Sequence, residues 1–184
     1  MDEIIAQLLF NQREFIHRWN NKADLHHSDT SLSAVFDEFI TRYIVYNALY
    51  KLCALKIDTK GDQKSATEAV YICLQDNISE IIPLLDSQIH LLHHNIRKGN
   101  FQIHIGLFSR KYSDKHLLND MDSANEQIRF RALLRCIYQL RCNLFHGNKN
   151  FEYRQVVLLK PATECLRILN NQLYDILSQK YTIA

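Results

Sequence analysis

The sequence predicts a single all-α domain over residues 1–184, with five or six helices in one bundle. The chain has only four glycines and two prolines, so it cannot form the many tight turns of a sandwich or a barrel. Hydrophobic residues make up 47% of the chain and charged residues 23%, which provides a core and excludes a disordered chain. Apolar residues also recur at spacings of three and four, as they do along one face of a helix.

The N-terminal part predicts two helices joined by a polar loop. Residues 2–19 carry an apolar side, and residues 20–30 are mostly polar, so we expect a helix followed by a loop. Ser31 or Ser33 can cap the second helix, because a short side chain with an oxygen accepts a bond from a free N–H of the first turn. The apolar spacing carries this helix to about Leu55.

The middle of the chain predicts a loop over residues 56–64, then helical segments over 67–74 and 78–96. A kink is expected where Pro83 interrupts the second of these segments, because proline lacks the N–H that the helix needs. Residues 101–108 alternate between apolar and polar types and predict either a short strand or an irregular segment.

The C-terminal part predicts two more helices, over residues 123–146 and 153–181. Pro161 falls inside the last pattern, so that helix is either kinked or begins at the proline. We find no internal repeat, and we interpret the chain as an N-terminal helix and loop (1–30) followed by a core bundle (31–181).

Charge and cysteine usage limit the compartment and the partners. The formal net charge of +2 is too small for a general nucleic-acid surface, so any phosphate-binding surface must be local. The five cysteines contain no Cys-x-x-Cys pair, the N-terminus has no secretory pattern, and no apolar run reaches the length of a membrane span. We therefore expect a cytoplasmic protein with reduced thiols.

The most informative segment is the nonapeptide RCNLFHGNK, which runs from Arg141 to Lys149 at the end of a helical pattern. It places Arg141, Asn143 and His146 within six residues. Gly147 follows, and glycine readily adopts the left-handed conformation that ends a helix.

A helical wheel places this motif away from the predicted core. With a turn of about 100° per residue, one narrow apolar stripe contains Leu133, Ile137, Leu140 and Leu144. The opposite side contains Arg131, Arg135, Tyr138, Gln139, Cys142 and His146. Leu134 and Phe145 flank the polar side together with Arg141, and we expect the two apolar side chains to support a dimer contact.

Arg141 and His146 do not point at one atom from an ideal helix, because they differ by about 140° in direction and about 7.5 Å in rise. Two arrangements remain open. Either the last turn unwinds at Gly147, or the site combines residues from two copies of the helix.

The motif supplies the groups that cut RNA without a metal. Attack by the 2′-hydroxyl needs a base, an acid and a cation that stabilises the phosphorane. Histidine titrates near neutrality and serves as base or acid, and arginine offers phosphate a permanently charged fork. Asn143 can orient the imidazole or a phosphate oxygen. Lys149, Arg135 and Arg131 can contact flanking phosphates. The motif of one chain contains one histidine and therefore one proton-transfer group, so a homodimer would supply both the base and the acid.

Metal binding is not favoured by the remaining histidines. Two adjacent pairs are present, His26-His27 and His93-His94. Neighbouring residues on a helix point about 100° apart, and the cysteines or carboxylates of a structural site are absent at fixed spacing. We expect no metal and no cofactor. Three tyrosines at helical spacing are expected in the core rather than stacked on RNA bases: Tyr43, Tyr46 and Tyr50.

The motif resembles the HEPN superfamily, whose nuclease members carry an arginine, four to six residues and then a histidine near the end of a helix. The segment from Arg141 to His146 has the four-residue spacing, and Gly147 and Lys149 match the FHG-x-K variety. A second stretch, FITRYIVYNALY over residues 39–50, resembles the early helix of this subgroup.

The resemblance implies a metal-independent endoribonuclease that acts as a homodimer, in a toxin–antitoxin or antiviral-defence system. By position, Arg141 and His146 would be catalytic, RNA would be the substrate, and an antitoxin or a sensor protein would be a partner. The chain departs from the pattern at Cys142, where members often carry Asn, Asp or His. Two other classes remain open: a non-catalytic HEPN module that binds RNA, a nucleotide or a protein, and a helical adaptor whose partner covers the polar stripe.

Overall fold

A computed structural model describes residues 2–98, 103, 114–145 and 152–181. The described residues are almost all helical and include no strand, which confirms the all-α class. The alternating segment predicted at 101–108 lies outside the described residues, except for Ile103, which is buried.

Six helical stretches make up the described ranges. The first two are α1 (Asp2–Asp24) and α2 (Leu32–Lys56). The third is a continuous run that consists of α3 (Asp62–Lys64), a π-helical turn (Ser65–Ala69), α4 (Val70–Leu74), a 3-10 turn (Gln75–Asn77) and α5 (Ile78–Lys98). The last three are α6 (Asp114–Met121), α7 (Glu126–Phe145) and α8 (Val156–Lys180), with a 3-10 turn (Tyr153–Gln155) before α8. None of these helices combines the length and the apolar composition that crossing a bilayer requires.

The central helix of the bundle is α2. It packs against α1 and α8, while α5 packs against α8 and α7 packs against α5, α6 and the π-helical turn. Most residues of α2 are buried, including Phe39, Tyr46 and Tyr50, which are among the largest fully buried side chains. The stretch over residues 39–50 therefore lies in the middle of the core.

The loop predicted at 20–30 begins later, because α1 continues to Asp24. Ala23 is fully buried, and the side chains of Asn20 and Asp24 bond to Arg42 of α2. These contacts between α1 and α2 keep polar residues in a helix that local composition alone ends earlier. The only tryptophan, Trp19, also belongs to α1 and packs partly buried against the core.

The cap of α2 is Ser31, one of the two predicted candidates. Its hydroxyl accepts a hydrogen bond from the Ala34 N–H at 3.3 Å. The loop predicted over 56–64 ends earlier than expected, because α3 begins at Asp62. Asp62 follows Gly61, whose φ of 98° is one that other residues rarely adopt, so the turn into α3 depends on this glycine.

The proline in the last helix does not mark its start, because α8 begins at Val156 and contains Pro161. A proline within a helix leaves the carbonyl four residues earlier without its usual donor. That carbonyl belongs to Val157, and the side-chain amide of Asn95 in α5 donates to it at 2.8 Å. A neighbouring helix thus satisfies the group that the proline leaves open.

The prediction that Leu134 supports a dimer contact is wrong, because Leu134 is only 1% exposed. Cys136 and Phe130 are also buried, and α7 packs against α5, α6 and the π-helical turn. The buried arc of α7 is therefore wider than the apolar stripe indicated. Phe145 differs, because 54% of its surface is exposed.

Candidate functional site at the C-terminal end of α7

Arg141 lies in the last described turn of α7, with 21% of its side chain exposed. Its Nη1 is 3.5 Å from Oδ2 of Asp62. The guanidinium carbon lies 4.8 Å from the ring centre of Phe145 and 5.5 Å from that of Tyr43. Arginine stacks favourably on aromatic faces, so Arg141 is held between a carboxylate and two rings with part of its surface open to solvent.

Asp62 is itself held by two tyrosine hydroxyls. Tyr50 donates to its Oδ1 at 2.5 Å, and Tyr138 donates to its Oδ2 at 3.4 Å. Burial raises the pKa of Tyr50 and of Tyr138, so both phenols stay protonated at neutral pH and remain donors. The carboxylate therefore joins α2 to α7, next to Arg141.

Tyr43, Tyr46 and Tyr50 lie in the core, as predicted, and neighbouring rings meet edge to face at 5.6 Å and 5.4 Å. The hydroxyl of Tyr46 donates to the Ala66 carbonyl at 2.6 Å. The hydroxyl of Tyr43 is buried and has no hydrogen-bond partner among the described residues, although its ring faces Arg141. Burial raises the pKa of Tyr43, so this phenol also stays neutral.

Asn143 is only 6% exposed, and both ends of its amide have protein partners. Its Nδ2 donates to the Ile103 carbonyl at 3.1 Å, and its Oδ1 accepts from Gln139 Nε2 at 3.0 Å. In this arrangement Asn143 fastens the backbone at Ile103 to α7. Its predicted role in orienting an imidazole or a phosphate stays a prediction.

Arg131 and Arg135 lie on the same side of α7 as Arg141, and both are close to acidic side chains. Arg131 stacks on the ring of Tyr71 at 3.8 Å, and one of its terminal nitrogens is 3.7 Å from Glu68. Arg135 is 3.6 Å from Glu68 and 3.9 Å from Asp120. Both side chains are partly exposed, so solvent screens these pairs and phosphate can compete for them.

His146, Gly147 and Lys149 lie outside the described residues. The two open arrangements of Arg141 and His146, through an unwound turn or across two copies, therefore stay predictions.

In the described part of the chain, no group of three or more His, Cys, Asp and Glu side chains is arranged to hold a metal ion. His27 belongs to one of the two adjacent histidine pairs, and its Nδ1 lies 3.0 Å from a carboxylate oxygen of Glu38.

The five cysteines are all described and all have free thiols. Cys53, Cys136 and Cys165 are buried, whereas Cys142 of the motif and Cys73 are partly exposed. Burial raises the pKa of Cys136 to about 12, and it also raises the pKa of Cys165. A hydrogen bond with Cys53 lowers the pKa of Cys73.

We expect thiol reactivity to follow this division. At neutral pH, iodoacetamide should label Cys73 and Cys142 first, because alkylation needs an accessible thiolate. Cys136 and Cys165 should react only after unfolding. Peptide mass spectrometry of briefly labelled protein measures each rate, and protein unfolded in guanidinium chloride is the control, in which all five should react alike. Native labelling of Cys136 as fast as that of Cys142 would contradict the packing of α7.

Comparison with known proteins gave no family: no protein-family model matches the chain, and neither the curated proteins nor the solved structures contain a significant match. The function of this protein is therefore inferred from its own residues.

Sequence reasoning identified Arg141 but missed Asp62 as its partner. The local signal was small: an acidic residue directly after a glycine in a polar stretch.

Proposed function

We propose that this protein is a metal-independent endoribonuclease of the HEPN type, which cuts RNA through the 2′-hydroxyl of its substrate. The observation that carries the proposal is the Arg141-x4-His146 motif, with Arg141 in the last described turn of α7 and its guanidinium partly open to solvent. A permanently charged fork in this position suits a phosphodiester.

The roles follow from the chemistry. The 2′-oxygen attacks phosphorus, the bond to the 5′-oxygen breaks, and the products are a 2′,3′-cyclic phosphate and a free 5′-hydroxyl. Arg141 stabilises the charge that develops on the phosphoryl oxygens. His146 takes the proton from the 2′-hydroxyl or gives one to the 5′-oxygen. Lys149 contacts the flanking backbone, and Arg135 and Arg131 extend this contact along α7.

We also propose that the protein acts as a homodimer. One chain supplies one motif histidine, and two chains meeting at this segment supply a base and an acid. Phe145 supports such a contact, because a large apolar side chain is half exposed directly beside Arg141. The biological setting that we propose is a cytoplasmic toxin or antiviral-defence effector, restrained by an antitoxin or a sensor protein.

One observation favours a second candidate, a HEPN-type module that binds a partner without catalysis. Arg131, Arg135 and Arg141 each lie within 4 Å of a carboxylate, so the positive charge of this face of α7 is largely compensated. A protein ligand without phosphates demands less uncompensated positive charge than an RNA backbone does.

We expect the purified protein to cleave single-stranded RNA in EDTA and to leave a 2′,3′-cyclic phosphate. The same RNA with a 2′-deoxy sugar at the cleaved position should resist at that bond, because the attacking oxygen is missing. Gel analysis with end-labelled oligonucleotides measures both results. Cleavage of the deoxy-substituted bond, or cleavage that needs an added metal, would exclude this mechanism. Absence of cleavage, both in EDTA and with added metal, would favour the second candidate.

A further inference from the structure

We infer that Asp62 is the positioning residue that holds the Arg141 guanidinium ready for a phosphate. This inference rests on the proposed function, and it adds a residue that the Arg-x4-His motif does not contain. Asp62 lies 3.5 Å from a terminal nitrogen of Arg141, and it is the first residue of α3, which is distant from the motif helix in sequence.

The first support is that Asp62 is fixed from the protein interior. Tyr50, which is fully buried on α2, donates to Oδ1 at 2.5 Å, and Tyr138 of α7 reaches Oδ2 at 3.4 Å. A side chain fixed on two sides makes a defined anchor for a third group. An exposed carboxylate without such bonds would move with solvent and would fix nothing.

The second support is the way in which Arg141 is held. The closest approach of Arg141 to Asp62 is made by Nη1, which also lies 4.0 Å from the sulfur of Cys142. The guanidinium carbon lies 4.8 Å from the ring centre of Phe145 and 5.5 Å from that of Tyr43. At 3.5 Å, the contact with Asp62 is longer than the bonds of a bidentate arginine–carboxylate pair, so the carboxylate orients the guanidinium without filling its fork.

The geometry fits an Asp62 that positions Arg141 better than an Asp62 that occupies the phosphate site. A carboxylate that occupied the phosphate site would engage the arginine fork with both oxygens, at the short distances of bidentate pairs. Here each oxygen of Asp62 already accepts a tyrosine hydroxyl, and its closest contact with the guanidinium is 3.5 Å. A flexible arginine loses rotamer freedom when it binds phosphate, and an anchor that imposes this loss beforehand raises the rate of the chemical step.

The test is Asp62→Asn, with Asp58→Asn as the matched control. The amide keeps an oxygen for Tyr50, and it replaces Oδ2, which faces Arg141 and Tyr138, by a neutral NH2 group. Asp58 loses the same charge four residues earlier, is exposed, and has a φ of 47° that asparagine readily adopts. We expect kcat for RNA cleavage to fall roughly tenfold in Asp62→Asn with little change in KM. Asp58→Asn should match the wild type, and Asp62→Glu should recover part of the loss.

A second measurement does not depend on catalysis. The Nε–H signal of Arg141 in nitrogen-15 NMR, assigned with Arg141→Lys, should show a restrained side chain in the wild type and in Asp58→Asn. It should show faster motion in Asp62→Asn and in Asp62→Ala. An unchanged signal overturns the inference whatever the enzyme does. A mobile Arg141 with equal or higher kcat overturns the inference as well, since that result would mean that Asp62 blocks the phosphate site. If the wild type does not cleave RNA at all, the proposed function is what fails.

Discussion

Replacing Arg141 by alanine should lower kcat for RNA cleavage by about 10²- to 10³-fold, the usual cost of removing a preorganised group that stabilises transition-state charge. The fold should survive the change. Arg141 is 21% exposed and its partner Asp62 is 44% exposed, so solvent screens their ion pair, which contributes about 0–1 kcal/mol. Single-turnover cleavage of a labelled RNA and a thermal melt together measure both parts of this expectation.

The matched control for this prediction is Arg129→Ala. Arg129 lies on the same helix and is about as exposed as Arg141, but it pairs with Asp86 near the other end of α7. It should retain full activity. His146→Ala should lose cleavage with EDTA present. If either His146→Ala or Arg141→Ala continues to cleave at the wild-type rate, the motif is not the catalytic site and the nuclease proposal should be abandoned.

Replacing Arg42 by alanine should destabilise the protein by about 3–5 kcal/mol, the usual cost of breaking a buried ion pair. Arg42 is only 2% exposed. Its Nη2 lies 2.5 Å from Asp24 and 3.5 Å from Glu38, and its Nη1 bonds to Asn20 at 3.4 Å. Without the guanidinium, the buried carboxylate of Glu38 loses its permanent positive partner, and α1 loses its polar bonds to α2. Urea denaturation followed by circular dichroism measures the free energy of unfolding.

Arg18→Ala provides the comparison for Arg42→Ala. Arg18 also pairs with a glutamate one helical turn away, Glu14, but both side chains are largely exposed. The expected loss is therefore about 0–1 kcal/mol. Equal losses of unfolding free energy in the two variants would show that the burial of Arg42 does not determine how much its ion pairs stabilise the protein.

The fold class could be predicted because it depends on features that act along the whole chain: scarce glycine and proline, and apolar spacings of three and four. The boundaries were less accurate where tertiary contacts decide them. Residues 20–24 are helical because Ala23 is buried and Asp24 bonds to Arg42, and neither contact follows from local composition. Leu134 was misplaced for the same reason, since α7 packs against several elements and the helical wheel showed only one apolar stripe.

The site shows a similar division. The position of Arg141 at the end of a helix follows from the sequence, because helix periodicity and the glycine after His146 are local signals. The pairing with Asp62 joins two distant segments, and it needs the turn at Gly61 and the hydroxyl of Tyr50 to bring the carboxylate into place. No spacing rule connects positions that only the folded bundle makes neighbours.

The location of the single tryptophan has a practical consequence. Trp19 lies on α1, with the Phe15 ring at 5.9 Å and the Lys22 ammonium 4.8 Å from its ring centre. Its fluorescence emission therefore reports whether α1 is packed against the bundle rather than whether the whole bundle is folded. Detachment of α1 would change the fluorescence while the far-ultraviolet signal of the other helices persisted. The chain thus carries a built-in optical probe that distinguishes fraying of its first helix from cooperative melting.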